Sequence, residues 1–182
     1  HFHLHAACPS ARSPHVTVER NLDGEARRGN AKDSLMTELW KLSATEIARM
    51  IEAGDTNCEK VTAACLERIE VREAEVDAWM YLDPETALAD ARAIDAHSSG
   101  GLVRGVPIGV KDIIDTKDMP TGHGSPIHTE NRPDYDAPCV AMCRAEGGLI
   151  LGKTVTSEFA HMTPGKTKNP RNPAHSPAGS SS

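Results

Sequence analysis

Three stretches of this sequence carry side chains able to do chemistry. Lys111 is the single charged residue between Arg104 and Asp112, and it closes the apolar run VPIGV. Burial disfavours an ammonium, so a lysine held there can have its pKa lowered enough to act as a neutral base near pH 7. Alternatively, its stem covers apolar surface while the ammonium reaches water or pairs with Asp112. The second stretch, GGLILGKT at 147–154, satisfies the phosphate-loop pattern G-x-x-x-x-G-K-[ST] letter for letter. A phosphate cradle needs a Gly-rich turn after a strand, so that successive backbone N–H groups converge on the anion. Here the variable positions are Gly, Leu, Ile and Leu, a β run preceded by helical sequence, and the match is read as accidental. The third is SPAGSSS at 176–182, a row of hydroxyls on a backbone that Gly lets turn tightly. By itself it reads most simply as a flexible linker.

The histidines add no metal site. His123 and His128 follow the lysine run, with His161 and His175 later, and none has the spacing of a helical ligand pair. His1, His3 and His5 alternate at the start of the chain but lie in a segment without sustained periodicity. No metal and no cofactor is expected.

The elements that must position these groups follow from local signals. Ser43 and Glu46 form a capping box, Ile47, Met50 and Ile51 an apolar stripe, and Gly54 a stop. Thr56 and Glu59 suggest a second capping box, opening a helix with Val61, Cys65 and Ile69 at helical spacing and Glu67, Arg68, Glu70 and Arg72 towards water. Ala78 to Leu82 reads as a strand, and Asp83 and Pro84 as the N-cap and first turn of a third helix ending at the SSGG of 98–101. Val106 to Ile114 is rich in β-branched residues, as in a strand covered on both faces. A Pro- and Gly-rich loop from Thr116 follows, of the kind that borders sites in α/β proteins. Asp136 and Pro138 then start a helix, LILG is a buried strand, TSEFAHM a short helix, and the remainder loop. Alternating helices and buried strands predict an α/β layered domain.

Whole-chain properties exclude several classes. The chain has 182 residues, room for one ordinary core, with 25% charged residues and a formal charge of −6. Basic residues are scattered among acidic ones, which excludes a nucleic-acid surface. No apolar run approaches the roughly 20 residues needed to cross a bilayer. The five cysteines, odd in number and without C-x-x-C spacing, suit a reducing cytoplasm. Residues 1–35 read as a disordered or non-native extension, with periodic sequence and a natural start at Met36, and residues 36–182 as part of one domain.

Three blocks in fixed order, GVPIGVKDIIDT at 105–116, LILGKTVTSEFA at 149–160 and NPAHSPAGSSS at 172–182, resemble successive signatures of the amidase signature family, most closely its malonamidase-like bacterial members. The resemblance runs from about Met36 to the end of the chain and explains GGLILGKT as a structural strand and turn. It implies an amidase signature fold, an α/β architecture with a mixed central sheet covered by helices, incomplete here. It implies hydrolysis of a carboxamide through a Ser, cis-Ser, Lys triad and an acyl-enzyme. Carried over by motif, Lys111 is the triad lysine. Ser180, following Gly179, is the bridging serine whose preceding peptide bond is cis, and Ser181 is a supporting hydrogen-bond partner. Such a relay would activate a serine that is inert at its own pKa.

Two departures stand out: Ala178 and Ser182 each occupy a position where the commonest family pattern has glycine. The acylated serine and its oxyanion hole are expected beyond Ser182, so residues 36–182 would be the N-terminal part of the amidase domain and inactive alone. The implied partner is a small-molecule amide, with a homodimer left open. Two other readings compete: a transamidating subunit that delivers ammonia to a misacylated tRNA with the same triad, and a non-catalytic interaction module.

Overall fold

A computed structural model describes residues 38–97, 100–161 and 163–181. The readings made of residues 1–35, of Met36, of His1, His3, His5 and Cys8, and of Ser182 lie outside the described residues. Among those described, the order is α1 (Ala44–Ala53), α2 (Cys58–Val76), β1 (Trp79–Leu82), α3 (Pro84–Ala96), β2 (Pro107–Lys111), α4 (Pro138–Ala145) and β3 (Leu149–Thr154).

The helices begin where local chemistry satisfies their first N–H groups. At α1 the capping box forms: Glu46 N donates to Ser43 Oγ at 3.3 Å and Ser43 N to Glu46 Oε2 at 2.8 Å, while Gly54 closes the helix at φ 77°. At α3 the Asp83 carboxylate accepts from Glu85 N and Thr86 N, both at 3.1 Å. The start of α2 differs from expectation. Asn57, not Thr56, is the N-cap, its Oδ1 accepting from Lys60 N at 3.0 Å. Asp95 of α3 supplies the remaining acceptors, taking Cys58 N at 2.8 Å and Glu59 N at 3.0 Å. Thr56 is instead buried, with Oγ1 unpartnered. At α4, Asp136 makes no cap. It accepts from Lys117 N at 3.0 Å and pairs with Arg144 at 3.2 Å, and Ala137 holds the cap position. Arg68 is also not free on its helix face, since its guanidinium lies 4.4 Å over the Trp40 ring.

The strands form a mixed sheet in the order β1-β3-β2, with β1 antiparallel and β2 parallel to β3. Central β3 is buried along LILGK, which is why its sequence shows no polar alternation. Leu149 and Leu151 pack with Ala87, Ala91 and Cys58 under α2 and α3, whereas Ile150 packs with Val110, Met119 and Val140 on the opposite face. Burying each such side chain contributes about 1.5–3 kcal/mol. The expected strand over 106–114 is shorter, ending at Lys111, because the chain turns there to place Asp112 inside the protein. The expected helix in TSEFAHM is one 3-10 turn, Glu158–Ala160, in which Phe159 adopts φ 49°.

Candidate active site

β2 ends at Lys111 and β3 at Thr154, paired neighbours in a parallel ladder with Lys111 opposite Thr154 and Val110 opposite Lys153. Alternation along a strand therefore sends Lys111 and Lys153 to opposite faces.

On one face the Lys111 ammonium donates to Ser180 Oγ at 2.7 Å, bringing together residues 69 positions apart. Burial lowers the Lys111 pKa below its ordinary 10.5. Asp112 is not its ion-pair partner. The Ser180 carbonyl is held from the exit of β3, accepting from Ser157 N at 3.3 Å and Ser157 Oγ at 3.4 Å, with Thr156 Oγ1 at 3.1 Å sharing its one proton between this carbonyl and Ser157 O at 2.9 Å. Ser180 and Ser181 are exposed.

The turn into Ser180 is built differently from the implied one. Among the described residues there is no cis peptide bond, so the bond from Gly179 to Ser180 is trans. The reversal comes from two successive left-handed residues, Ala178 at φ 63° and Gly179 at φ 74°. Alanine in the left-handed backbone at position 178 costs roughly 1–2 kcal/mol.

The opposite face holds what sequence reasoning missed. Lys153, part of the accidental phosphate-loop match, is wholly buried. Its three N–H groups go to Thr121 Oγ1 at 2.6 Å, Ile114 O at 2.9 Å and Pro120 O at 3.2 Å, and Asp112 Oδ1 lies at 3.6 Å. Burial lowers its pKa and Asp112 opposes that shift. An ammonium satisfied by protein oxygens cannot cradle a phosphate, so the accidental reading of GGLILGKT stands on geometry. Asp112 in turn accepts from Gly122 N at 3.1 Å through its carboxylate and from His123 N at 2.9 Å through its carbonyl. The one available sequence signal was the lysine inside an otherwise apolar run.

Beyond this loop, His123 and His128 meet edge to face at 5.1 Å between ring centroids, and His123 stacks near Phe159 at 6.4 Å. Both histidines line an open cavity of about 540 Å³ with Asp115, Arg132 and Tyr135. No group of three or more His, Cys, Asp or Glu suited to a metal ion occurs among the described residues.

The amidase family model matches residues 60–182, which span β2, β3 and the Ser180 turn. The chain belongs to the amidase signature family. Among relatives, it is 40% identical over 155 residues to a glutamyl-tRNA(Gln) amidotransferase subunit of Salinispora arenicola, covering 80% of this chain and 32% of that protein. It is 42% identical over 126 residues to the putative amidase AmiD of Mycobacterium tuberculosis, covering 67% of this chain and 26% of that one. Among solved structures, the peptide amidase of Stenotrophomonas maltophilia superposes with a TM-score of 0.70 at 31% identity, over 76% of this chain and 32% of the other. An amidase family protein from Bacillus anthracis gives 0.72 at 26% identity, over 88% and 35%. The α/β amidase signature fold is thus shared, and the chain spans about a third of the length of the curated relatives it matches.

Proposed function

We propose that the chain contributes the lysine and bridging serine of an amide hydrolase that works through an acyl-enzyme. The observation that carries this reading is the 2.7 Å separation of Lys111 Nζ and Ser180 Oγ. In the neutral form the amine accepts the Ser180 hydroxyl proton, and Ser180 Oγ accepts the proton of a nucleophilic serine as it attacks the carboxamide carbon. Collapse of the tetrahedral intermediate breaks the C–N bond, and the proton returns along the relay to the leaving amine. Water, deprotonated by the same relay, then hydrolyses the acyl-enzyme. We assign the nucleophile and oxyanion hole to a segment following residue 182 of the whole protein, as the signature resemblance implies; the relatives are about three times as long as the stretch they share with this chain. Ser181 is assigned as a supporting partner. Among the described residues the free thiols of Cys58, Cys65, Cys139 and Cys143 support a cytoplasmic setting.

The test is carboxamide hydrolysis by the whole protein. Lys111→Ala and Ser180→Ala should each lower kcat by about 10²–10⁴-fold, the range of a lost acid–base group, with an unchanged circular dichroism spectrum. Full turnover by Lys111→Ala would overturn the assignment.

The 40% identity to an amidotransferase component favours a second reading, in which the same relay releases ammonia from glutamine for transfer to tRNA. Turnover that requires partner subunits and glutamine selects it, and hydrolysis by the isolated protein selects the first.

A further inference from the structure

We propose that Thr156 and Ser157 are positioning residues of the relay, clamping the Ser180 carbonyl so that its hydroxyl stays within reach of Lys111. This rests on the hydrolase reading above. Ser180 is exposed and follows two left-handed residues, in a stretch that belongs to no helix or strand. No ladder therefore fixes it. Its carbonyl nevertheless accepts from Ser157 N at 3.3 Å and Ser157 Oγ at 3.4 Å, and Thr156 Oγ1 lies 3.1 Å from it, its single proton shared with Ser157 O at 2.9 Å.

The two donor residues are themselves immobilised. Each is only 2% exposed, just beyond Thr154, the residue paired with Lys111 in the parallel ladder. The 122–125 loop closes on them from the other side: Gly124 sits at φ 66°, so near that a side-chain carbon there would come within 2.8 Å of Thr156 O. Lys111 and Ser180 are thus both referenced to the exits of the same two neighbouring strands. The relay distance is set by strand pairing on one side and by this clamp on the other. Neither hydroxyl needs to touch substrate, so their effect passes through Ser180. A displacement of about 1 Å in a reacting geometry can cost 10²-fold in rate.

The experiment measures kcat and KM for carboxamide hydrolysis by the whole protein carrying Thr156→Val, Ser157→Ala or both, with Thr156→Ser as the conservative variant and Lys111→Ala as a control. We expect the double variant to lose about 10- to 100-fold in kcat with KM within about twofold of the parent, and Thr156→Ser to restore most of the loss caused by Thr156→Val. If Lys111→Ala abolishes turnover while the double variant keeps the parent's kcat, the clamp is overturned and the hydrolase reading survives. If Lys111→Ala has no effect, the hydrolase reading fails first. A loss in which KM rises and kcat is unchanged, or one that Thr156→Ser does not repair, also overturns the clamp. Should Thr156→Val not fold, Ser157→Ala, which deletes one exit hydroxyl atom, decides the matter by the same split.

Discussion

The Lys153 ammonium lies 3.6 Å from the Asp112 carboxylate, with side chains 0% and 3% exposed. Lys153 ties β3 to the loop that follows Lys111, through Asp112, Ile114, Pro120 and Thr121. Removing one member of a buried pair leaves the other charge uncompensated, which costs about 3–5 kcal/mol. Lys153→Met should therefore destabilise the whole protein by that amount in urea unfolding. Lys153→Met combined with Asp112→Asn should recover part of the loss, because the amide still accepts from Gly122 N while the stranded charge is gone. Strict additivity of the two single effects would contradict the coupling.

The pH dependence of turnover follows from Lys111. A base works when deprotonated, so kcat/KM should climb as pH rises through its pKa. Burial lowers that pKa, which brings the climb below the ordinary lysine value of 10.5. In Ser180→Ala the residual rate should lose this limb, since the amine no longer has a hydroxyl to deprotonate. A pH–rate profile of the whole protein and of the variant checks both, and a limb that persists without the Ser180 hydroxyl would contradict the relay.

At the start of α2 two adjacent polar residues should respond in opposite directions. Asn57 caps the helix, so Asn57→Ala should cost about 1 kcal/mol. Thr56 Oγ1 is buried without a partner, so the near-isosteric Thr56→Val should leave stability unchanged or raise it by up to about 1–3 kcal/mol. Chemical unfolding of the two variants separates the cap from its neighbour.

Gly152 tests the packing of the central strand. A side-chain carbon there would come within 2.5 Å of Tyr81 O and 3.0 Å of the Trp79 ring. Gly152→Ala must push β1 away from β3, and a destabilisation of about 1–3 kcal/mol, typical of an overpacked core, is expected in thermal or urea unfolding.

The capping box at Ser43, the Asp83-Pro84 start of α3 and the buried run LILG were legible because their causes are local: a side chain two or three residues away, or a strand covered on both faces. Thr56 was misread because the competing cap, Asn57, and the acceptors on Asp95 lie in the next residue and the next helix, out of reach of a local pattern. Lys111 was legible as an isolated charge ending an apolar run, and Ser180 by its place in a family motif. Lys153 was not, since the letters GKT say nothing about whether an ammonium faces solvent or four protein oxygens.

From sequence alone came the alternation of helices and buried strands and the place of Lys111 and Ser180 in ordered signature blocks. The first is a property of period and local spacing, the second a resemblance to family motifs. Only the tertiary structure decided that Lys111 meets Ser180 across 69 residues, that Asp112 belongs to Lys153 and not to Lys111, and that left-handed Ala178 and Gly179 make the turn. Each depends on which strand lies beside which and on which face a side chain leaves the sheet, and strand pairing between distant segments is set by the packing of the whole core.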